Sequence, residues 1–232
     1  MLDPKPGTQF EVSVADVIIP DVLVAAARDG TWGIELNPAA QPRLIVNNEY
    51  YAEVNTSIKG EEKTFLSDCM QSANWLVRSL DQRARTILKV TQEIVRQQDG
   101  FLRHGVTHLK PLNLRTVADA VGMHESTISR VTANKFMATP RGVFELRYFF
   151  NASIASSEGG DAHSSESVRH RIRQMIDAEK PDDVLSDDAI VEALKKDGVD
   201  IARRTVAKYR ESMNIASSVQ RRREKKARLS AR

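Results

Sequence analysis

Arg203, Arg204, Thr205, Lys208, Tyr209 and Arg210 fall within the ten-residue segment ARRTVAKYRE, residues 202–211. A guanidinium presents a planar fork of N–H donors. That fork matches the two acceptors on the major-groove edge of guanine, or two oxygens of a phosphate. Val206, Tyr209 and Met213 recur at intervals of three and four, the spacing of one helix face. The segment therefore predicts a short helix with an inward apolar stripe. Arg203, Lys208 and Arg210 fall largely outside that stripe, and Arg204 and Thr205 lie near its first turn. Ala202 and Ala207 are small enough to let a backbone approach closely. The chemistry on offer is polyanion binding with a capacity to read guanine, set against the bland alternative of a solvated basic helix.

A second stretch, Leu112 to Lys135, has a related character. Ala118, Gly122 and Ile128 have helix-turn-helix spacing: close packing, turn, and burial of the second helix. Leu114, Val117, Val121 and Val131 supply the core. The second helix is expected from about His124 into Asn134. It would turn Glu125, Ser126, Thr127, Ser129, Arg130 and Lys135 outward.

Catalytic patterns are weak by comparison. His124-Glu125 begins like a zinc-protease motif, but position 128 is Ile, so the second ligand is missing. His104 and His108 are four apart with no evident third ligand. No phosphate-binding glycine loop or nucleophile motif is present. Cys69 is the single cysteine, so an internal disulfide and a cysteine-cluster zinc site are both excluded; a partly buried small residue is the expected role. Trp32 and Trp75 are expected as core or interface anchors. The chain is read as non-enzymatic, with no metal or cofactor.

The elements that position these groups must come from 232 residues, enough for two domains or three small ones. With 41% hydrophobic and 28% charged residues the composition is that of soluble globular proteins. No run is apolar enough to cross a bilayer, and no secretory signal is visible, which predicts a cytoplasmic protein. The net charge of +3 is uneven: residues 202–232 hold eleven Lys/Arg and two Asp/Glu, a local +9, leaving −6 for residues 1–201. A basic end on a mildly acidic body points to polyanion binding at that end.

Residues 1–9 read as a linker. Phe10 to Val46 predicts short strands or irregular extended structure, with Asp29-Gly30 as a hairpin turn. Asn47-Asn48 can start a helix at Glu49. Glu61 to Gln98 is helical by its apolar recurrence, stopped at Asp99-Gly100. A shorter helix from Phe101 ends before Pro111. The Gly/Ser-rich residues 151–166 predict a flexible linker. Ser167 would cap a helix running to Glu179, ended at Pro181. Ser186 would cap another from Asp187 to Asp197, ended by Gly198, with the 202–211 helix third. Residues 216–232 have few apolar groups and are expected to be disordered when free.

The segment ARRTVAKYRE resembles, residue for residue, the signature box of the nitrogen-regulation class of alternative sigma factors (sigma-54). MHESTISRVTANK, TPRGVFELRYFF, WLVRSLDQRARTILKV and FLRHGVTHLKPL resemble that family too. So do ELNPAAQPRLIVNNEYY and the opening LDPKPGTQF, which extends the resemblance over almost the whole chain. It implies a mainly α protein: a helical core-binding domain followed by two helix-turn-helix DNA-binding modules. The expected division is a core RNA polymerase-binding domain at 1–111, a helix-turn-helix region at 112–150 and a linker at 151–166. A box DNA-binding domain at 167–215 and a basic tail at 216–232 complete it.

By the resemblance, Arg203 and Arg204 read a GG-containing upstream promoter element, while Thr205, Lys208, Tyr209 and Arg210 hold phosphates or neighbouring bases. Arg130 reads a downstream GC element, with Glu125, Ser126, Thr127 and Ser129 beside it. The implied partners are core RNA polymerase, promoter duplex DNA and, for the full-length protein, an activator ATPase. Family members usually begin with a Gln- and Leu-rich activator-responsive segment and an acidic stretch. Neither matches here, so a fragment lacking that region is expected. A stand-alone two-module repressor is the alternative, and residues 10–110 are where the two differ.

Overall fold

The computed structural model describes residues 17–151, 153–154, 163–180 and 183–230. Val12 and Val14 of the first extended run, most of the predicted linker and Pro181 lie outside the described residues.

β1 (Val22–Ala26) and β2 (Trp32–Leu36) form an antiparallel hairpin in which Val22 faces Leu36 and Ala26 faces Trp32. The turn lies where Asp29-Gly30 predicts it. Asp29 accepts hydrogen bonds from the Thr31 N–H and hydroxyl at 3.0 and 2.7 Å, and Gly30 takes φ +82°, a region open to glycine. Val17–Ile19 and Leu44–Val46 form no strand.

α1 (Asn48–Ser57) starts as expected, with Asn47 accepting from the Tyr50 N–H at 3.0 Å. α2 (Glu61–Gln97) is one helix of 37 residues, about 55 Å long at 1.5 Å per residue. Its buried residues all lie in its second half: Thr86, Ile87, Val90, Thr91, Ile94 and Val95. The first half projects, with Phe65 71% and Trp75 68% exposed. Cys69 is exposed, against the partly buried role expected of it. α3 (Asp99–His104) follows directly, then a 3-10 turn at Val106–His108.

α4 (Leu114–Val121) and α5 (Glu125–Thr132) form the predicted helix-turn-helix. Ala118 and Ile128 are buried, and Gly122 between the helices takes φ +70°. β3 (Phe136–Thr139) and β4 (Gly142–Glu145), which periodicity did not predict, form a second hairpin. β3 pairs parallel to β1 to give a sheet in the order β2-β1-β3-β4. Asp21 fastens this join. The Asp21 N–H donates to the Phe136 carbonyl at 2.8 Å, and its carboxylate accepts from the Phe136 N–H at 3.0 Å.

The sheet, the second half of α2, α3 and the helix-turn-helix share one core around Val22, Val90, Ile94, Phe101, Val117, Ile128 and Met137. Leu109 and Leu112 both belong to it, so it continues through residue 111. Phe101, Phe144, Tyr148 and Phe149 fill one side with rings mostly at steep angles, the favourable arrangement for aromatic quadrupoles. Burial and the nearby Glu166 carboxylate push the Tyr148 hydroxyl pKa upward.

A second core belongs to the C-terminal helices. β5 (Ser153–Ile154) pairs with β6 (His163–Ser164), leading into α6 (Ser165–Asp177). Ser164, not Ser167, caps α6: its hydroxyl accepts from the Ser167 N–H at 3.1 Å. The cap falls three residues earlier than expected because Ser167 lies inside the first turn, buried, bonding back to the Ser164 carbonyl. α7 (Asp187–Lys196) is capped by Ser186 as predicted. Gly198 at φ +83° ends it, with the Val199 N–H returning to the Leu194 carbonyl at 2.9 Å. α8 (Arg203–Ser212) contains the ARRTVAKYRE segment. Val168, Ile172, Ile190, Leu194, Val199, Ile201 and Val206 meet between the three helices. Residues 218–230, expected to be disordered, form the helix α9 (Ser218–Ser230).

Candidate nucleic-acid interface

α8 is held by its apolar stripe. Val206 is fully buried, and Tyr209 and Met213 pack against the same core. That packing fixes which side chains point outward: Arg203, Arg204 and Lys208 are exposed, and Thr205 is half-buried. Arg203 makes an ion pair with Asp188 at 3.2 Å, the two side chains 68% and 60% exposed. A pair so open to water contributes little to stability and can be given up to a stronger anion. Arg204 and Lys208 have no ion pair or side-chain hydrogen bond among the described residues.

The N-terminus of α8 adds backbone donors. Its N-cap is Ala202, which has no side-chain acceptor to offer. The Thr205 and Val206 N–H groups return to the Ala202 carbonyl at 2.9 and 3.2 Å. The N–H groups of Arg203 and Arg204 precede the first intrahelical bond. Two guanidinium groups and two unengaged N–H groups thus share one helix end, an arrangement that favours phosphate.

Two residues of the segment are placed otherwise than expected. Arg210 points inward, its side chain 7% exposed. It donates to Asp187 through Nε at 3.0 Å and through Nη2 at 3.3 Å, and to the Ile215 carbonyl through Nη1 at 2.9 Å. It joins α8 to α7 and to the turn beyond, so its donors are not available to a phosphate. Tyr209 lies half-buried beneath the Arg169 guanidinium, 5.0 Å from its ring centroid, and Arg169 pairs with Glu166 at 3.2 Å. Arg169, Asp187 and Asp188 were not anticipated. Only the acidic first turn of α7 was legible, as a complement to the helix dipole.

α5 offers a similar face. Ile128 and Thr132 are buried inward, while Glu125, Ser126, Ser129 and Arg130 are exposed and Thr127 is half-buried. The Arg130 side chain has no hydrogen bond or ion pair among the described residues. His124 caps the helix through Nδ1, which takes the Ser126 N–H at 3.2 Å and meets its hydroxyl at 2.7 Å. Lys135, expected to face outward, pairs with the buried Asp21 at 3.1 Å and is withdrawn from the α5 face. The His104 and His108 rings lie 4.9 Å apart between centroids, tilted by 49°. Among the described residues no group of three or more His, Cys, Asp or Glu could hold a metal.

Near the hairpin, Trp32 donates its indole N–H to Asp99 at 2.8 Å, and Arg103 donates to the same carboxylate at 2.8 Å. These bonds hold the Asp99 pKa below the ordinary carboxylate range. Among the described residues no helix is long and apolar enough to cross a membrane.

Comparison with known proteins agrees with this geometry. Residues 63–223 match the model of the family described as "Sigma-54, DNA binding domain", and residues 1–50 match "Sigma-54 factor, core binding domain". The chain is 69% identical over 228 residues to the RNA polymerase sigma-54 factor of Sinorhizobium fredii, covering 97% of this chain and 44% of that protein. It is 62% identical over 224 residues to the RNA polymerase sigma-54 factor of Caulobacter vibrioides, covering 96% of this chain and 45% of the relative. The chain thus spans less than half the length of these curated relatives. Among solved structures, the crystal structure of Aquifex aeolicus sigmaN bound to promoter DNA is similar at a TM-score of 0.56 and 31% identity. The similarity covers 90% of this chain and 61% of that one.

Proposed function

The chain belongs to the sigma-54 factor family, and from that premise we propose that it is the polymerase- and promoter-binding part of a sigma-54 transcription initiation factor. Residues 1–111 supply the surface for core RNA polymerase. The helix-turn-helix and the C-terminal three-helix module supply two promoter readers. The protein is a non-catalytic, cytoplasmic specificity subunit, and in its full-length form an activator ATPase acts on it.

Arg203 and Arg204 enter the major groove and read a GG-containing element. Thr205 and Lys208, with the N-terminal N–H groups of α8, hold adjacent phosphates, and Tyr209 supports that face from the core side. Arg210 acts from inside, keeping α8 at a fixed angle to α7. Arg130 reads a second, GC element, with Glu125, Ser126, Thr127 and Ser129 at its sides. The carrying observation is that Arg204 and Arg130 stand exposed and unpaired on helices whose opposite faces, at Val206 and Ile128, are fully buried.

The test is a mobility shift on a duplex carrying GG and GC elements, with and without core polymerase. Losing a bidentate arginine–guanine contact removes about 1–3 kcal/mol of discrimination. Arg203→Ala and Arg204→Ala should therefore each lower preference for GG over a mutated duplex. Undiminished preference in both would overturn the assignment. DNA binding without polymerase binding would favour the stand-alone repressor.

A further inference from the structure

α9 carries six Lys/Arg and one Glu between residues 221 and 228, and one buried carboxylate governs how it sits. The Glu179 side chain is 0% exposed. It receives Arg221 Nη2 at 2.7 Å, Arg221 Nε at 3.2 Å, Lys225 Nζ at 3.1 Å and the Leu185 N–H at 3.2 Å. Arg221 also donates to the Leu185 carbonyl at 2.9 Å and to the Ala216 carbonyl at 2.7 Å. A helix with so little apolar surface does not fold back for hydrophobic reasons. Ion pairs in water would not hold it either. A fully bonded, buried charge cluster can, and the attested use of such clusters is to fix register.

The anchor lies beside the elements that hold α8. Leu185 immediately precedes Ser186, the cap of α7, whose next residues Asp187 and Asp188 pair with Arg210 and Arg203. Arg221 and Lys225, one turn apart, face Glu179. Arg223 therefore faces away and Arg222 lies to the side, and both are exposed. The match to the family's DNA-binding domain ends at residue 223, inside α9.

We propose that α9 is a phosphate-contacting arm, set in register with α8 by Glu179, that extends DNA contact onto the duplex flanking the GG element. The proposal rests on α8 being a DNA reader. Arg222 and Arg223 supply sequence-independent contacts, so their loss should weaken every flanked duplex alike and leave base preference intact.

The experiment uses the whole chain and fluorescence anisotropy at several salt concentrations. One set of duplexes carries the GG element, or a mutated element, with about ten flanking base pairs; the other is trimmed to the element. Arg222→Ala with Arg223→Ala should reduce the salt slope by about 2 and the affinity by on the order of tenfold on flanked duplexes. Trimmed duplexes should be unaffected. Glu179→Gln should act in the same direction and lower amide protection across α9, showing that the carboxylate works by positioning. Unchanged affinity and slope in the Arg222/Arg223 variant would overturn the proposal. So would a loss of GG preference in that variant, which would make α9 part of the base reader. Failure of the α8 reading would show instead as intact GG preference in Arg203→Ala and Arg204→Ala.

Discussion

Arg210 and Asp187 meet between α8 and α7 at 3.0 Å, with side chains only 7% and 17% exposed. The pair makes the angle of the basic helix a property of the module's interior. Removing one partner of such a pair strands the other charge, which costs about 3 kcal/mol. Asp187→Ala should therefore destabilise the C-terminal module by about that amount in urea denaturation. A loss below about 0.5 kcal/mol would place the pair among ordinary surface contacts.

Trp32 and Asp99 give a pH-dependent prediction. The Trp32 N–H, and after it Arg103, hold the Asp99 pKa below its ordinary value. The contribution is therefore present above the unfolded carboxylate value, near 3.9, and is lost as pH falls through the lower folded value. In Trp32→Phe the Asp99 pKa should rise toward the ordinary value in carboxyl NMR titration. The decline in stability as pH falls below the ordinary carboxylate value should become shallower. An unmoved Asp99 titration would assign the effect to Arg103 alone.

How far the sequence carries depends on the range of the interactions involved. Ala118, Gly122 and Ile128 announce a helix-turn-helix because packing, turn and burial act over ten residues. The caps at Asn47 and Ser186 are equally local. The β1–β3 pairing joins Val22 to Met137, and no local pattern in such short strands reports a partner that distant. α9 was missed because helix periodicity counts apolar residues, whereas α9 is anchored through Arg221 to Glu179, 42 positions away. Arg210 was read as a surface cation for the same reason: its partner Asp187 is 23 positions away. Lys135 repeats the lesson with Asp21.

Gly122 tests the helix-turn-helix directly. Its φ is +70°, and a Cβ there would meet nothing within 4 Å, so the cost of a side chain is conformational only. Gly122→Ala should destabilise the N-terminal core by about 1–2 kcal/mol. Gly122→Asn should cost less, because asparagine tolerates this region. Thermal denaturation of the two variants checks the order; equal or reversed losses would mean the turn relaxes to another conformation.

The two proposed readers should act together only at the right spacing. Modules that read adjacent major-groove faces sit about one helical turn apart, roughly 34–36 Å. The β5–β6 pairing, Ser153 with Ser164 and Ile154 with His163, holds the two ends of the connecting segment together, so the modules themselves must bridge that distance. Inserting five base pairs between the elements adds about 17 Å along the axis and turns the second site to the opposite side of the duplex. The insertion should reduce affinity for the two-element duplex to that of a single element, a loss of about 100-fold or more as the second binding event ceases to be intramolecular. A ten-base-pair insertion restores the facing but moves the second site about 34 Å along the axis, so it should bind no better than the five-base-pair one. Anisotropy titrations on the three spacings decide this, and equal affinity across them would mean that α5 and α8 do not engage one DNA molecule together.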